Sequence, residues 1–133
     1  MAVQMELHKI IISEMQDKQL IWLKEVDGER KFTIVIGSPE AHSRDIEHLL
    51  MSANGGKKVD VVFEMVGGTT FDGSLMALAP FGRLVTYGMA SRTAPHPVSP
   101  GNLLVGSHSI IGFWLVDAMH PKRARTMRTT SAA

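Results

Sequence analysis

The sequence contains no cysteine. This absence excludes disulfide bonds and thiolate ligands, so a metal could be held only by nitrogen and oxygen ligands such as histidine and carboxylate side chains. The apolar runs are too short to span a bilayer, and the first residues, MAVQMELHK, lack the basic and apolar regions of a secretory signal. We therefore expect no membrane association and a cytoplasmic location.

Two catalytic motifs are also missing. The chain has no G-x-G-x-x-G turn, with which many nucleotide-binding sheets hold a pyrophosphate at a helix N-terminus. It has no G-x-S-x-G elbow either, although Ser74 and Ser91 lie close to glycine or to a turn. Their absence argues against a complete dinucleotide site and against a serine nucleophile.

What the sequence does contain is typical of one globular domain. The 133 residues are 44% hydrophobic and 20% charged, with a formal net charge of +1. Residues 1–118 are predicted to form a single composite domain, and residues 119–133 a basic, flexible tail. Four basic residues of this tail could contact nucleic acid non-specifically through phosphates: Lys122, Arg123, Arg125 and Arg128.

The first forty residues predict an antiparallel meander. Three β-rich runs cover residues 5–13, 19–26 and 31–37. Between the second and third runs, Asp27-Gly28 predicts a two-residue turn with positive φ at both positions. The first three strands should therefore pair in chain order.

A helix is predicted next, with Ser38 as its N-cap and Pro39 as its first residue. It should run to about Ala53 and end at the Asn54-Gly55-Gly56 turn. Its apolar residues recur at helical spacing and predict one buried stripe: Ile46, Leu49, Leu50 and Ala53.

Residues 59–92 predict a strand, a helix and a second strand. An apolar run from Val59 to Val66 stops at Gly67-Gly68, and Arg83 to Tyr87 form another β-rich run. The intervening helix is predicted to present one apolar face and to break at residues 80–82; that face consists of Phe71, Leu75, Leu78 and Ala79. Two strands joined through one helix run parallel with a right-handed crossover.

The remainder predicts one short helix and one edge strand. Ser99-Pro100 should cap a helical turn through Val105, and His108 to Val116 should form the last strand. A long apolar edge strand needs a cover, so we expect a homodimer through Ser107 to Val116. The fold class is α/β: a mixed sheet in which a three-strand meander and a helix join a partial Rossmann-like β-α-β unit and a final edge strand.

Three motifs in order, VDVVFEMVGG, LAPFGRLVTYG and SIIGFWLV, resemble the later part of a known nucleotide-binding domain. The family is the medium-chain dehydrogenase/reductase superfamily in its zinc-free NADPH:quinone reductase branch, and the resemblance covers residues 57–118. It implies that two turns approach the nicotinamide half of NADP(H) and that the last strand pairs across a dimer. The residues of these turns are Val66, Gly67, Gly68, Gly88, Met89, Ala90 and Ser91.

Residues 3–46 are similar to a different family. The segments MELHKIIIS, LKEVDGER and IGSPEA resemble the start of the bifunctional nuclease family, whose members are associated with DNA and RNA hydrolysis. The two resemblances together predict a chimeric or recombined chain joined between Ala41 and Gly55.

The predicted helix also carries candidate metal ligands. His42, Asp45 and His48 follow one another at spacings of three residues, which places each pair on neighbouring positions of one helix face. Glu40 lies at the N-terminal end of this helix. A zinc or manganese ion held there could activate water, with Glu40 or Asp45 as the catalytic carboxylate. The alternative is that these side chains are solvated or satisfy helix-end amides.

Three functions therefore remain open. The first is a module that retains part of a nicotinamide-cofactor domain, binds NADP(H) weakly or not at all, and is not a competent dehydrogenase. The second is a small metal-dependent phosphoester hydrolase, which would be favoured over redox chemistry if the chain is an enzyme. The third is a structural homodimer without activity.

Overall fold

One six-stranded sheet organises the chain. The computed structural model describes residues 4–13, 18–36 and 42–120. The strands lie side by side in chain order. The elements are β1 (Met5–Ser13), β2 (Lys18–Glu25), β3 (Lys31–Ile36), α1 (Ser43–Ala53), β4 (Val59–Glu64), α2 (Gly68–Met76), β5 (Leu78–Thr86), α3 (Pro100–Gly106), β6 (Ser109–Gly112) and α4 (Leu115–Met119).

The strand pairing changes from antiparallel to parallel in the middle of the sheet. β1, β2 and β3 pair antiparallel, whereas β3, β4, β5 and β6 pair parallel. Antiparallel neighbours are joined by short connections and parallel neighbours by crossovers that contain helices. The predicted α/β class, the meander and the mixed sheet are confirmed.

The turn between β2 and β3 differs from the prediction. It occupies residues 26–30, and the Glu25 amide donates to the Arg30 carbonyl oxygen at 2.9 Å. Gly28 is not among the residues with positive φ, so the turn is not the two-residue type expected for Asp27-Gly28. An ion pair between Arg30 and Glu25, 2.6 Å long, closes this longer loop.

Helix α1 begins later than predicted. Its N-cap is His42, in extended conformation and without a side-chain capping bond, and its first residue is Ser43. The predicted cap residues Ser38 and Pro39 lie outside the described residues. The C-terminal end agrees with the prediction, because Asn54 caps the helix and Gly55 and Gly56 follow with positive φ.

The boundary between α2 and β5 is also displaced. Leu78 and Ala79 belong to β5 and not to the helix, because Leu78 already pairs with Val59 of β4. The register between the two strands then shifts, and Phe81 adopts a positive φ of 63° within the strand. The expected break at residues 80–82 is therefore an irregularity inside one long strand.

Helices α1 and α2 pack on one face of the sheet. Their buried residues join those of the strands in a single hydrophobic cluster: Leu20, Trp22, Val35, Ile46, Leu50, Val59, Val62, Phe71, Ala77, Leu78 and Leu84. Val98, which precedes α3, and Ile110 of β6 pack against the same cluster. The predicted stripe of α1 thus faces the core.

The opposite face of the sheet is apolar as well. Because side chains alternate along a strand, the residues between those of the core point to this second face. One row of them crosses all six strands in register: Ile10, Ile21, Ile34, Phe63, Val85 and Ile111. We call this face the open face; Ile10 and Ile111, at its two ends, are 54% and 44% exposed.

Of the C-terminal elements, the last strand is shorter than expected. α3 begins as predicted, since Ser99 caps it and Pro100 is its first residue. The predicted strand from His108 to Val116 is reduced to β6, and Leu115 already begins α4. β6 does lie at the edge of the sheet. No helix among residues 4–13, 18–36 and 42–120 is long and apolar enough to cross a membrane.

Candidate functional site

Two loops meet where β4 and β5 end. The loop after β5 donates backbone hydrogen bonds to the loop after β4, from Ala90 to the Met65 carbonyl at 2.8 Å and from Ser91 to the Val66 carbonyl at 2.9 Å. The Ser91 hydroxyl donates to the same Val66 oxygen at 2.6 Å. The predicted cofactor-binding segments, Val66–Gly68 and Gly88–Ser91, are therefore held against each other as one unit.

Close approach of the two loops explains two of the glycines. A Cβ atom on Gly67 would lie 3.0 Å from the Thr93 carbonyl oxygen, and one on Gly88 would lie 3.1 Å from the Met65 carbonyl oxygen. Gly67 also has φ of 81° and ψ of −166°, a backbone region that is essentially restricted to glycine. The two loops can pack this closely because neither glycine carries a side chain.

Glu64, the last residue of β4, is fully buried beneath these loops. Its Oε1 accepts hydrogen bonds from the backbone amides of Val66 at 2.6 Å and Gly67 at 2.8 Å. These amides lie at the start of α2, where an anion is favoured by the helix dipole. Both N–H groups are thus taken by the chain's own carboxyl group and are not available to a phosphate.

The electrostatics of this carboxyl group are set by its burial. Oε2 is buried and has no hydrogen-bond partner among the described residues. Desolvation raises the pKa of Glu64 above its usual range, and the amides of Gly67 and Val66 oppose this shift. The pKa of Tyr87, on the adjoining loop, is raised by its own burial and then by the charge of Glu64.

Replacement of Glu64 by glutamine should change how stability depends on pH. A pKa raised above 4.5 means that the folded chain binds more protons than the unfolded chain between 4.5 and the folded pKa. The free energy of unfolding contributed by this group therefore falls as pH rises through that window. Urea denaturation at a series of pH values should show the fall in the wild type and its absence in Glu64→Gln.

Glu25→Gln is the matched control for this experiment. The pKa of Glu25 is lowered, first by its side-chain hydrogen bond with Arg30. Its contribution therefore has the opposite sign and is lost as pH falls below 4.5. Identical pH profiles for the wild type and Glu64→Gln would contradict the assignment of a raised pKa to Glu64.

A groove opens at the carboxyl ends of β5 and β6. It encloses about 630 Å³ and combines backbone with aromatic surface. The paired residues Thr86 and Gly112 form its floor at the ends of the two strands. The remaining lining residues are Tyr87, Gly88, Met89, Phe113, Trp114 and Asp117. Ligands of parallel α/β sheets bind at this edge of the sheet, so the groove is the candidate site.

A side-chain clamp fixes the segment that follows the second loop. Asp72 of α2 accepts a hydrogen bond from the His96 amide at 3.0 Å, and its other oxygen lies 2.6 Å from His96 Nδ1. The clamp ties the proline-containing connection to α2. It holds the connection that follows the loop after β5 in place, and neither Asp72 nor His96 lines the groove.

The predicted metal site is not assembled. His42 and His48 are exposed, Asp45 is partly buried, and no group of three or more histidine or acidic residues that could hold a metal occurs in the described part of the chain. Glu40 and the basic residues Lys122, Arg123, Arg125 and Arg128 lie outside the described residues. His42, Asp45 and His48, the described members of the predicted set, therefore do not form a group that could hold a metal ion.

Sequence reasoning predicted Gly88 and Met89 of the groove but missed Glu64 and the groove residues from β6 onward, Gly112, Phe113, Trp114 and Asp117. An acidic residue at the end of an otherwise apolar strand, directly before two glycines, is a signal that could have identified Glu64. Phe113 and Trp114 are not predicted to line the groove, because the composition of their segment predicts a continuous strand through Val116.

The fold is that of a partial Rossmann-like sheet, and the candidate groove lies at the carboxyl ends of its parallel strands. The model of the family described as zinc-binding dehydrogenase matches residues 1–131. The chain therefore belongs to the zinc-binding dehydrogenase family. This match extends across the predicted junction between Ala41 and Gly55.

Solved structures are also similar to this chain, and the two with a TM-score of 0.50 agree with this membership. A mycobacterial quinone oxidoreductase is 36% identical, with a TM-score of 0.50 over 60% of this chain and 24% of that one. The same values hold for a mycobacterial protein complexed with NADPH. A quinone oxidoreductase from Thermus thermophilus is 29% identical, with a TM-score of 0.45 over 56% of this chain and 23% of that one.

The extent of these matches is limited. The chain spans 24% of the mycobacterial quinone oxidoreductase. A comparison with curated protein sequences gives no significant match. None of the matches named above is to a nuclease, so the resemblance of residues 3–46 to the bifunctional nuclease family receives no support from them.

Proposed function

We propose that the groove at the carboxyl ends of β5 and β6 binds the nicotinamide half of NADP(H) weakly, and that the chain does not by itself form a complete dehydrogenase site. The proposal is carried by the groove of Thr86, Tyr87, Gly112, Phe113 and Trp114 at the ligand edge of a dehydrogenase-family sheet. A bound NADPH would supply a hydride. The groove offers aromatic surface and strand-end backbone to a flat ring and its amide.

The affinity for NADP(H) should be weak because backbone amides near the groove already donate to a side chain of this chain. The amides of Val66 and Gly67 donate to Glu64, and the chain has no G-x-G-x-x-G turn to hold a pyrophosphate. Binding would depend on the ring and its ribose and would lack the usual phosphate contribution. The predicted cofactor contacts of Gly88, Met89, Ala90 and Ser91 form part of this proposal.

Thermal unfolding in the presence of NADPH tests the proposal. With a dissociation constant of about 1 mM, 10 mM NADPH adds about 1.4 kcal/mol to the free energy of unfolding. For a domain of this size that corresponds to a rise in Tm of about 3–6 °C. Nicotinamide mononucleotide should produce a similar rise, and ADP-ribose should produce none.

Gly112→Leu supplies the blocking variant. A Cβ atom on Gly112 meets nothing within 4 Å, so leucine should enter the groove without disturbing the fold. We expect the Tm of this variant without ligand to match the wild type and its response to NADPH to vanish. Gly101→Ala on α3, outside the groove, should retain the response. An unchanged wild-type Tm at 10 mM NADPH, or an equal response in Gly112→Leu, would refute the proposed site.

A further inference from the structure

An asparagine followed by two glycines forms the turn that ends α1. Asn54 caps the helix, and Gly55 and Gly56 follow it, both exposed and with φ of 66° and 80°. In such a pair the backbone nitrogen of Gly55 can attack the side-chain amide carbon of Asn54, because glycine has no Cβ to shield its nitrogen or restrict its backbone. The turn is therefore a candidate site of covalent self-modification.

The reaction is a deamidation, and its co-reactant is water. The Gly55 nitrogen gives up its proton and bonds to Cγ of Asn54, and the side-chain nitrogen of Asn54 leaves as ammonia. The product is a five-membered succinimide ring. Water then opens this ring at either of its carbonyl groups and leaves aspartate, or isoaspartate, in which the main chain runs through the side chain. Asparagine is thermolabile through this chemistry.

The folded turn holds the two reacting groups apart. Ring closure needs the Gly55 nitrogen on the same side of the Asn54 Cα–C bond as Cβ, whereas a ψ of 29° places it on nearly the opposite side. The Gly55 amide also donates to the Ser52 carbonyl oxygen at 3.3 Å. The side-chain nitrogen of Asn54 donates to the carbonyl oxygens of Lys57 at 3.2 Å and Lys58 at 2.8 Å. The reaction therefore requires the turn to open.

A hydrogen bond from the sheet holds the last turn of α1. Lys9 of β1 donates from Nζ to the carbonyl oxygen of Ala53, the last residue of the helix, at 3.0 Å. Beyond Ala53 the chain is more open, and residues 55–58 are exposed. Exposed helix ends open locally at a lower free energy than the whole domain unfolds. Opening of this turn should therefore set the rate of deamidation in the native protein.

We propose that Asn54-Gly55 deamidates when the last turn of α1 opens, and that the acidic product keeps the turn open. An aspartate carboxylate cannot donate to the carbonyl oxygens of Lys57 and Lys58, as the asparagine amide does. A negative charge at the C-terminal end of a helix is also unfavourable, because the helix dipole is negative there. Isoaspartate adds a methylene group to the main chain and displaces the amides that bond back to α1. Converted molecules therefore retain an open turn.

Peptide mapping after incubation at mildly alkaline pH measures the reaction. Asn54 carries the sole side-chain amide in the tryptic peptide of residues 45–57, so conversion of this peptide is assigned to Asn54. Conversion in guanidinium chloride should be at least about 10-fold faster than in the native chain. Lys9→Met removes the bond to Ala53 and should speed the native reaction about 3- to 10-fold, with no change in denaturant. Lys24→Met, the matched change on β2, should alter neither rate.

Two controls separate the chemistry from the opening of the turn. Asn102 is followed by the bulky Leu103 and should stay unconverted in the same samples. Gly55→Ala should slow the reaction in guanidinium chloride about 10-fold, because its Cβ shields the attacking nitrogen. Absence of conversion in denaturant, or equal conversion of Asn54 and Asn102 there, would overturn the assigned chemistry. Equal rates in native and denatured chains, or a native rate unaffected by Lys9→Met, would overturn control by the turn.

Hydrogen exchange tests the effect of the product. The Gly56 amide donates to the Met51 carbonyl oxygen at 2.8 Å, so its protection reports closure of the turn. In Asn54→Asp this protection should fall about 10-fold or more. Asn102→Asp, which adds the same charge to α3, should leave it unchanged. Equal protection of Gly56 in Asn54→Asp and the wild type would overturn the proposal that the acidic product keeps the turn open.

Discussion

Substitution of Gly73 by alanine is expected to lower the free energy of unfolding by about 3 kcal/mol, at the upper end of the range for an overpacked core. Gly73 is the point of contact between α2 and α1. A Cβ atom there would overlap the Ser43 carbonyl oxygen at the start of α1 and lie 2.6 Å from the Ile46 Cβ. Because the nearest atom is backbone, the two helices must move apart. Ile46 is fully buried, so this movement opens the core.

Urea denaturation of Gly73→Ala beside Gly101→Ala measures this effect. Gly101 lies in α3, and the nearest atom to its Cβ is the Ser99 hydroxyl oxygen at 3.7 Å. Alanine there has a better helix propensity, by about 1 kcal/mol, and no steric conflict. We expect a stability equal to or above that of the wild type. Equal stability of Gly73→Ala and the wild type would show that α1 and α2 are not packed at this glycine.

Gly67→Ala is expected to lower the free energy of unfolding by about 2–3 kcal/mol and to abolish the response to NADPH. The backbone region of Gly67, with φ of 81° and ψ of −166°, costs any other residue about 1–3 kcal/mol. The new methyl group would also press on the Thr93 carbonyl oxygen at 3.0 Å. A change in the backbone of residue 67, or a shift of Thr93 away from the new methyl group, would separate the loops after β4 and β5, which flank the groove.

Gly55→Ala separates backbone strain from steric conflict. Gly55 also has a positive φ, 66°, but nothing lies within 4 Å of its Cβ position. We expect a loss of about 1 kcal/mol from the left-handed conformation alone, with the NADPH response retained. Denaturation curves measure the loss of stability in Gly55→Ala and Gly67→Ala, and thermal shifts with NADPH measure the ligand response of each. Equal losses at the two positions would mean that the loops do not press on each other at Gly67.

Local patterns predicted most of the elements of the sheet. The β-rich runs at β1 and β3, the cap at Ser99 and the stop at Asn54-Gly55-Gly56 depend on neighbours within a few residues. The structure agrees with all of them. They were predictable because the free energy that selects these conformations is local.

The errors occurred where tertiary contacts override local preference. Leu78 fits a helical stripe with Leu75, yet pairing with Val59 recruits it into β5. Phe113 to Val116 are β-rich in composition, but β6 ends at Gly112 beside Thr86, the end of its only described partner strand, β5. Strand length is set by the neighbour, and that information is absent from the segment itself.

The site was predictable only in part. The glycine turns after β4 and β5 could be placed at the ligand edge, because carboxyl ends of parallel strands share one edge. That Glu64 occupies the Val66 and Gly67 amides depends on where a buried side chain turns, and sequence does not determine this. The metal site on α1 rested on spacing alone, and helical spacing brings no ligand from a second element.

The match between strand order and chain order has a consequence for how the chain folds. Each strand pairs with the one made just before it, so no segment waits for a distant partner. Pairing between consecutive strands requires shorter loops to close than pairing with a distant strand would. The antiparallel hairpins provide a template that grows by one strand at a time, in the direction in which a ribosome releases the polypeptide.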